Sequence, residues 1–120
     1  MANVYEVTFD SGSDNWAKSR AYNILFLEHT VHYLNLLLEH RCRVDERGNT
    51  IMRGYVTLNE LLDNIGLPLI PDGLEKGWIF DTNDQNKYDV IDLELNARGT
   101  NPNVKVKFGN IVNLVSELAP

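Results

Sequence analysis

The chain has 120 residues, of which 43% are hydrophobic and 23% charged, a composition that is typical of a folded globular protein and excludes a disordered one. Its formal net charge of −6 argues against direct binding to nucleic acid, because phosphate-binding proteins need clustered Lys and Arg. The single cysteine, Cys42, excludes an intramolecular disulfide. The first residues lack the basic and apolar regions of a secretory signal, and no apolar run is long enough to span a membrane. We therefore expect one soluble intracellular domain, residues 1–120, with no membrane partner.

The N-terminal third predicts one strand and one long helix. Residues 3–9 alternate between two faces, which predicts a strand. The next five residues, DSGSD, form a turn cluster in which Ser13 or Asp14 can cap the following helix. That helix is expected from about Asn15 to Arg41, or about seven turns.

The long helix has two apolar faces, one on each side of a narrow polar stripe, at about 100° per residue. The polar stripe consists of Glu28, His32, Asn35 and Glu39. The first apolar face consists of Ile24, Leu27, Val31, Leu34 and Leu38. The second consists of Tyr22, Leu25, Phe26, Tyr33, Leu36 and Leu37. Because a helix on the rim of a small domain needs only one apolar face, either this helix is central in its own domain or one face binds another chain. We favour the central position.

A second, shorter helix has the clearest boundaries in the chain. Thr57 and Glu60 form a Thr-x-x-Glu capping box, in which each side chain would satisfy a free backbone N–H group. An apolar stripe follows at helical spacing and consists of Leu58, Leu61, Leu62 and Ile65. Gly66 suits the left-handed residue that ends a helix, and Leu67 can then fold back in a Schellman motif.

The remaining segments predict strands and turns. Residues 42–53 have the weakest sequence pattern: it indicates a turn at 46–49 and leaves open whether a strand follows that turn. One strand begins at Gly77, a second ends at Leu95, and others are expected near residues 104–108 and 111–115, the last as a strand or a helical turn. Antiparallel pairing of the 88–95 and 104–108 strands would place Asp92 and Glu94 opposite Lys105 and Lys107. The order of elements predicts an α+β fold, with one long helix and one short capped helix packed on a small antiparallel sheet.

Two groups of residues resemble metal sites without matching one. Glu28, His29 and His32 lie on one helix, but the zinc helix needs His at i and i+4 with an intervening Glu. A second group follows the spacing of a calcium loop and consists of Asp81, Asn83, Gln85, Asp89 and Asp92. It lacks the glycine of the turn and the final bidentate Glu, and strand patterns flank it, so we interpret it as a polar turn. We expect no metal and no cofactor.

No pattern of catalytic residues is present, so we expect no enzymatic activity. Cys42 has no neighbouring base that would make it a nucleophile. Trp78, Phe80 and Tyr88 could form an exposed aromatic platform, but we favour packing in the core.

The segments RAYNILFLEHTVHYLNLLL, GYVTLNELLDNIGLPLIPDGLEKGWIF, YDVIDLEL and VKVKFGNIVNLV resemble a family of small uncharacterised proteins. These are encoded by tailed phages, prophages and integrative elements, mostly of Gram-positive bacteria. The resemblance covers about Arg20 to Leu114. It departs from the family at residues 42–53 and at Asp92-Leu93-Glu94, where an Asp-Phe-Gly type of run is more usual. The resemblance implies a genomic context and no particular mechanism.

The sequence favours a non-enzymatic accessory protein of a phage or mobile element that acts by binding a protein, as a component of the virion or of its assembly. The partner is expected to be a phage or host protein, with association between copies of this chain as an open alternative. The expected location is the host cytoplasm or the virion. A second hypothesis is an inhibitor of a host defence system that blocks a basic cleft with an acidic face. A remote third is a carboxylate-based enzyme. The candidate binding residues are the acidic edge Asp81, Asp84 and Asp89 and the polar stripe residues Glu28, His32 and Glu39.

Overall fold

The computed structural model describes residues 3–83 and 90–119. In chain order its elements are β1 (Tyr5–Phe9), α1 (Arg20–Arg41), β2 (Arg43–Val44), β3 (Thr50–Met52), β4 (Gly54–Thr57), α2 (Leu58–Ile65), β5 (Lys76–Phe80), β6 (Asp92–Leu95), β7 (Val104–Gly109), β8 (Val112–Asn113) and α3 (Leu114–Leu118). The fold is α+β, as predicted, with the long helix, the short capped helix and antiparallel strands.

The strands of the described residues form three antiparallel sheets, where the sequence predicted one. The first sheet has the order β1-β7-β6, the second is the β2-β3 hairpin, and the third has the order β4-β5-β8. The segment that the sequence left undecided is therefore a hairpin, which continues through one residue, Arg53, into β4. The C-terminal segment, predicted as a strand or a helical turn, contains both: β8 is followed directly by α3.

Helix α1 begins five residues later than predicted, at Arg20, and its N-cap is Ser19. The Ser19 hydroxyl accepts a hydrogen bond from the Tyr22 backbone N–H at 3.2 Å. The buried Asn23 amide exchanges hydrogen bonds with the backbone of Ala17, which holds the preceding segment outside the helix. Ser13 has a different role from the predicted cap, since its hydroxyl donates to the Ile65 carbonyl at 2.6 Å.

Helix α2 has the predicted boundaries and the predicted C-terminus. Thr57 is the N-cap and accepts a hydrogen bond from the Glu60 backbone N–H at 3.0 Å. Gly66 has φ = 79°, in the left-handed region, and the Leu67 N–H bonds the Leu62 carbonyl at 2.9 Å, as in a Schellman motif. The other half of the predicted capping box is wrong, because the Glu60 carboxylate binds Arg41.

One hydrophobic cluster joins α1 and α2 to the two three-stranded sheets. It contains the first apolar face of α1 and the whole predicted stripe of α2. Trp78 is fully buried and its indole N–H donates to the Gly109 carbonyl at 2.7 Å, so its predicted core role is confirmed. Phe80 is half-buried against the cluster, and Tyr88 lies outside the described residues.

Strands β6 and β7 pair antiparallel with their apolar residues inward, but the predicted register is shifted by two residues. Glu94 lies opposite Lys107, and Asp92 lies opposite Gly109. Lys105 is beyond the end of β6, and its ammonium lies 3.9 Å from the Glu6 carboxylate of β1 instead. The register depends on the geometry of the connecting loop, which the alternation of polar and apolar residues does not specify.

Candidate binding surface

The second apolar face of α1 is largely exposed, so the predicted central position of this helix is wrong. Tyr22, Leu25, Tyr33 and Leu36 retain 51–54% of their accessible surface. Only Phe26 and Leu37, at the edge of this face, pack against the core. Core elements cover one side of the helix, and the four exposed side chains form a row that spans about 21 Å at 1.5 Å per residue. We call this row, with His29 and His40 at the same helical angle, the α1 face.

The predicted polar stripe lies directly beside the α1 face. Glu28, His32 and Glu39 are exposed, and within the described part of the chain their side chains make no hydrogen bond or ion pair. Asn35 differs from the other three, because it is half-buried and its amide accepts a hydrogen bond from the Ile91 N–H at 2.8 Å. The stripe therefore has three side chains that are free to contact a partner.

Of the three residues of the predicted acidic edge, the structure describes Asp81. This carboxylate is partly buried and accepts hydrogen bonds from the Thr50 hydroxyl at 2.5 Å and from the Asn83 N–H at 3.0 Å. These contacts attach the residues after β5 to the start of β3. Asp84 and Asp89 lie outside the described residues, so the proposed edge stays a prediction.

Across residues 3–83 and 90–119, no three His, Cys, Asp or Glu side chains converge as metal ligands. His29 and His32 are both exposed on α1, beside Glu28. The apparent calcium loop is only partly described, since Gln85 and Asp89 fall in the gap.

A surface cavity of about 570 Å³ opens at the C-terminal end of α1. Its lining residues are His40, Arg41, Arg43, Met52, Arg53, Tyr55, Thr57 and Glu60. They come from the last turn of α1, the β2-β3 hairpin, β4 and α2, and Arg53 is the residue that joins β3 to β4. With three arginines and one carboxylate, the lining carries a charge of +2 when His40 is neutral, in a chain whose net charge is −6. We call it the cationic cavity.

Two of the arginines in the cationic cavity are held in place by the protein. Arg41 forms a two-pronged ion pair with Glu60, with both N–O distances 2.7 Å, and also donates to the Tyr55 carbonyl at 3.0 Å. The hydrogen bond to Glu60 raises the pKa of Arg41 above its ordinary value. Arg53 donates to the Glu117 carbonyl of α3.

The remaining arginine and the histidine of the cavity have no partner inside the described part of the protein. Arg43 and His40 are exposed, and neither side chain has a hydrogen-bond or ion-pair partner among the residues that the structure describes. Arg43 therefore presents a full set of guanidinium donors to solvent. The cavity combines a fixed ion pair with one arginine, Arg43, that remains free to bind an anion.

The cavity owes its position to a close approach of β4 to α1. A Cβ atom added to Gly54 would lie 2.1 Å from the Leu38 carbonyl oxygen and 3.0 Å from the Cys42 nitrogen. Only glycine allows this contact, which sets the start of β4 against the end of α1. As a result the hairpin, with Met52, projects beside the last turn of the helix.

The cationic cavity and the α1 face form a continuous surface through His40. This residue lines the cavity, and it follows Leu36 by four positions and Tyr33 by seven, so the three share one side of the helix. Glu39 lies elsewhere, about 200° around the helix from Arg41 at about 100° per residue. The α1 face is therefore bordered by acidic groups along one side and by the cationic cavity at its C-terminal end.

No protein-family model, curated protein or solved structure matches the chain. Over the residues that the structure describes, no helix has the length and hydropathy needed to cross a membrane.

Proposed function

We propose that this protein acts by binding another protein and that the α1 face is its contact surface. The observation that carries the proposal is the row of four half-exposed large side chains on one face of a helix whose other face forms the core. Single exposed apolar residues are common on protein surfaces, but contiguous apolar patches mark interaction sites. Tyrosines in particular are enriched at the energetic centres of interfaces.

The resemblance to the phage and mobile-element family provides the biological context of this proposal. In that context the protein is a non-enzymatic accessory protein, a component of the virion or of its assembly. Such a component contacts either another phage protein or further copies of itself. A helix face about four turns long fits a groove or a second helix on the partner, with its large side chains at positions i, i+3, i+11 and i+14.

A second candidate, an inhibitor of a host defence protein, is favoured by the exposed polar stripe. Glu28 and Glu39 lie on one border of the α1 face, where they can attract a basic surface and speed its association. This candidate predicts a host partner and a complex that weakens as salt is raised, since the screening length is about 8 Å at physiological ionic strength. The virion candidate predicts a phage partner or self-association.

The test replaces two leucines of the α1 face and compares them with a matched pair elsewhere. Leu25→Ser with Leu36→Ser removes apolar surface from the face. Leu69→Ser with Leu74→Ser is the control, because these leucines are 57% and 69% exposed and lie in the loop between α2 and β5. Light scattering measures self-association, and affinity purification from phage-infected and uninfected host cells, followed by mass spectrometry, identifies partners.

We expect the α1 double variant to lose the association that the wild type and the control variant retain. Circular dichroism confirms that each variant is folded. An association that survives in the α1 double variant would place the contact elsewhere, and a wild type that is monomeric and captures no partner from either lysate would refute the proposal.

A further inference from the structure

We infer that the cationic cavity binds acidic side chains, Asp or Glu, of the polypeptide that this protein recognises. The inference rests on the proposed function, because it assigns a chemical character to the partner. It concerns residues that the sequence patterns did not single out as a site, and it predicts a partner that carries carboxylates at one end of its contact segment.

Apart from the Arg41–Glu60 pair, the arginines of the cavity have no carboxylate partner in the described part of the protein. The Glu60 carboxylate is fully engaged by the guanidinium of Arg41. Arg43 has no internal partner, and Arg53 is held through one nitrogen by a backbone carbonyl. Planar guanidinium groups pair with carboxylates through two parallel hydrogen bonds, which makes arginine well suited to recognise them.

The C-terminus of α1 accounts for only part of this positive charge. His40 and Arg41 lie in the last turn of the helix, where a cation interacts favourably with the free carbonyl groups of the helix end. Arg43 and Arg53 lie outside the helix, on either side of the hairpin turn, and Arg43 donates no hydrogen bond to a carbonyl of the described residues. A role in stabilising the helix end therefore does not explain Arg43.

The position of the cavity favours a carboxylate over a phosphate group. Phosphate sites in proteins commonly use the N-terminus of a helix or a glycine-rich loop, where backbone N–H groups point at the ligand. This cavity lies at a helix C-terminus, and Glu60 is part of its wall. Both features repel a dianion more strongly than a singly charged carboxylate.

The shape of the cavity favours a side chain of a docked polypeptide over a free small molecule. Small-molecule sites enclose most of the ligand and have predominantly apolar walls. Here Arg43, Met52 and Tyr55 are all exposed, and the cavity opens onto the α1 face through His40. A segment lying along Tyr33 and Leu36 would thus reach the cavity with its next turn, and Met52 and Tyr55 would cover the aliphatic part of an acidic side chain.

The experiment selects binders from a displayed library of random peptides on immobilised wild-type protein. Enriched peptides are synthesised with a fluorescent label, and their affinities are measured by polarisation at low and high salt. Each is also made with its Asp and Glu residues changed to Asn and Gln. The protein variants are Arg43→Gln, the α1 double variant Leu25→Ser with Leu36→Ser, and Arg98→Gln, a control that removes one exposed charge near the opposite end of α1.

Arg43→Gln is the informative variant because the Arg43 side chain is exposed and, among the described residues, has no hydrogen bond or ion pair to lose, so the fold should be unaffected. We expect the enriched peptides to be rich in Asp and Glu and to bind Arg43→Gln about tenfold more weakly, with Arg98→Gln equal to wild type. Neutralising the acidic residues of the peptide should weaken its binding to the wild type but not to Arg43→Gln. Such non-additivity would locate the contact at Arg43.

The outcomes separate this inference from the proposed function. Peptides that depend on Leu25 and Leu36 but have no acidic bias, or that bind Arg43→Gln as well as wild type, would overturn the inference and leave the proposed function standing. Acidic peptides that depend on Arg43 but not on the two leucines would support the inference and overturn the α1 face as the contact surface. If no peptide depends on either, both are overturned.

Discussion

Replacing Glu60 by Gln tests which of two roles this residue has. In the capping box predicted from the sequence, the side chain at this position accepts from the backbone N–H of Thr57, and Gln performs that role as well as Glu. In the structure the carboxylate forms a two-pronged ion pair with Arg41 instead. Gln cannot provide two anionic oxygens, so the ion pair predicts a loss of stability and the capping box predicts none.

The geometry and exposure of the pair set the expected magnitude. Exposed ion pairs contribute about 0.2–1 kcal/mol, whereas breaking a fully buried pair costs about 3–5 kcal/mol. The side chains of Arg41 and Glu60 are 38% and 28% exposed, so water screens the pair substantially. Two bonds of 2.7 Å place it at the upper end of the range for exposed pairs, and we expect a coupling free energy of about 1 kcal/mol. For a chain of this size, a loss of about 1 kcal/mol in Glu60→Gln lowers its melting temperature by about 4 °C.

A double-mutant cycle isolates this coupling from the other contact of Arg41. The free energy of unfolding in urea is measured for wild type, Glu60→Gln, Arg41→Met and the double variant. Arg41→Met removes the hydrogen bond to the Tyr55 carbonyl whether residue 60 is Glu or Gln, so this contribution cancels in the coupling free energy. The coupling should shrink as salt is raised. A coupling below about 0.3 kcal/mol, which is within ordinary additivity, would refute the ion-pair assignment.

Two further predictions concern the helices. Leu62→Ala should destabilise the fold by about 2–5 kcal/mol, because Leu62 is fully buried. Thr57→Ala should cost only about 1 kcal/mol through the lost cap. Thermal melts that reverse this order would contradict the assignment of the α2 stripe. Because Ser19 is the N-cap of α1, Ser19→Ala should lower the free energy of unfolding in urea by about 1 kcal/mol, whereas Asp14→Ala should leave it unchanged. Equal losses in the two variants would mean that the helix begins earlier.

Helix α2 could be predicted closely because its determinants are neighbours in the sequence. The Thr57 cap, the apolar stripe and the left-handed Gly66 act within one short segment, so their geometry follows from local rules. The same applies to β7, where Val104, Val106 and Phe108 alternate with exposed lysines and are buried as predicted. Local rules succeed where every local preference agrees with the fold.

The features that could not be predicted depend on contacts between distant residues. The start of α1 is moved by the Asn23 amide, which also donates to the Pro102 carbonyl, 79 positions away. The second half of the capping box is lost because Arg41 offers Glu60 a charged partner across 19 positions. An ionised donor makes a stronger hydrogen bond than a backbone N–H, so the distant contact displaces the local one.

The cationic cavity depends on distant contacts, but one of its features was readable in the local sequence. Its side chains come from five elements and from Arg53 between β3 and β4, and their convergence depends on the close approach at Gly54. A signal was nevertheless present in the sequence, since four of the 11 Lys and Arg residues, Arg41, Arg43, Arg47 and Arg53, fall within 13 consecutive positions of an acidic chain. Clustered positive charge against the overall balance indicates a local anion site even where the net charge argues against nucleic acid.

The α1 face was visible in the sequence, and only its interpretation was wrong, which itself bears on function. Leu25 and Leu36 are half-exposed in the folded chain, so roughly 1 kcal/mol of the stabilisation available from burying each remains unrealised. Tyr22 and Tyr33 tolerate water better, because each has a polar hydroxyl at its tip. Under the proposed function, a second surface covers the exposed half of these side chains. A partner that covers this row and pairs with Arg43 would bury both leucines and neutralise a free charge in one contact.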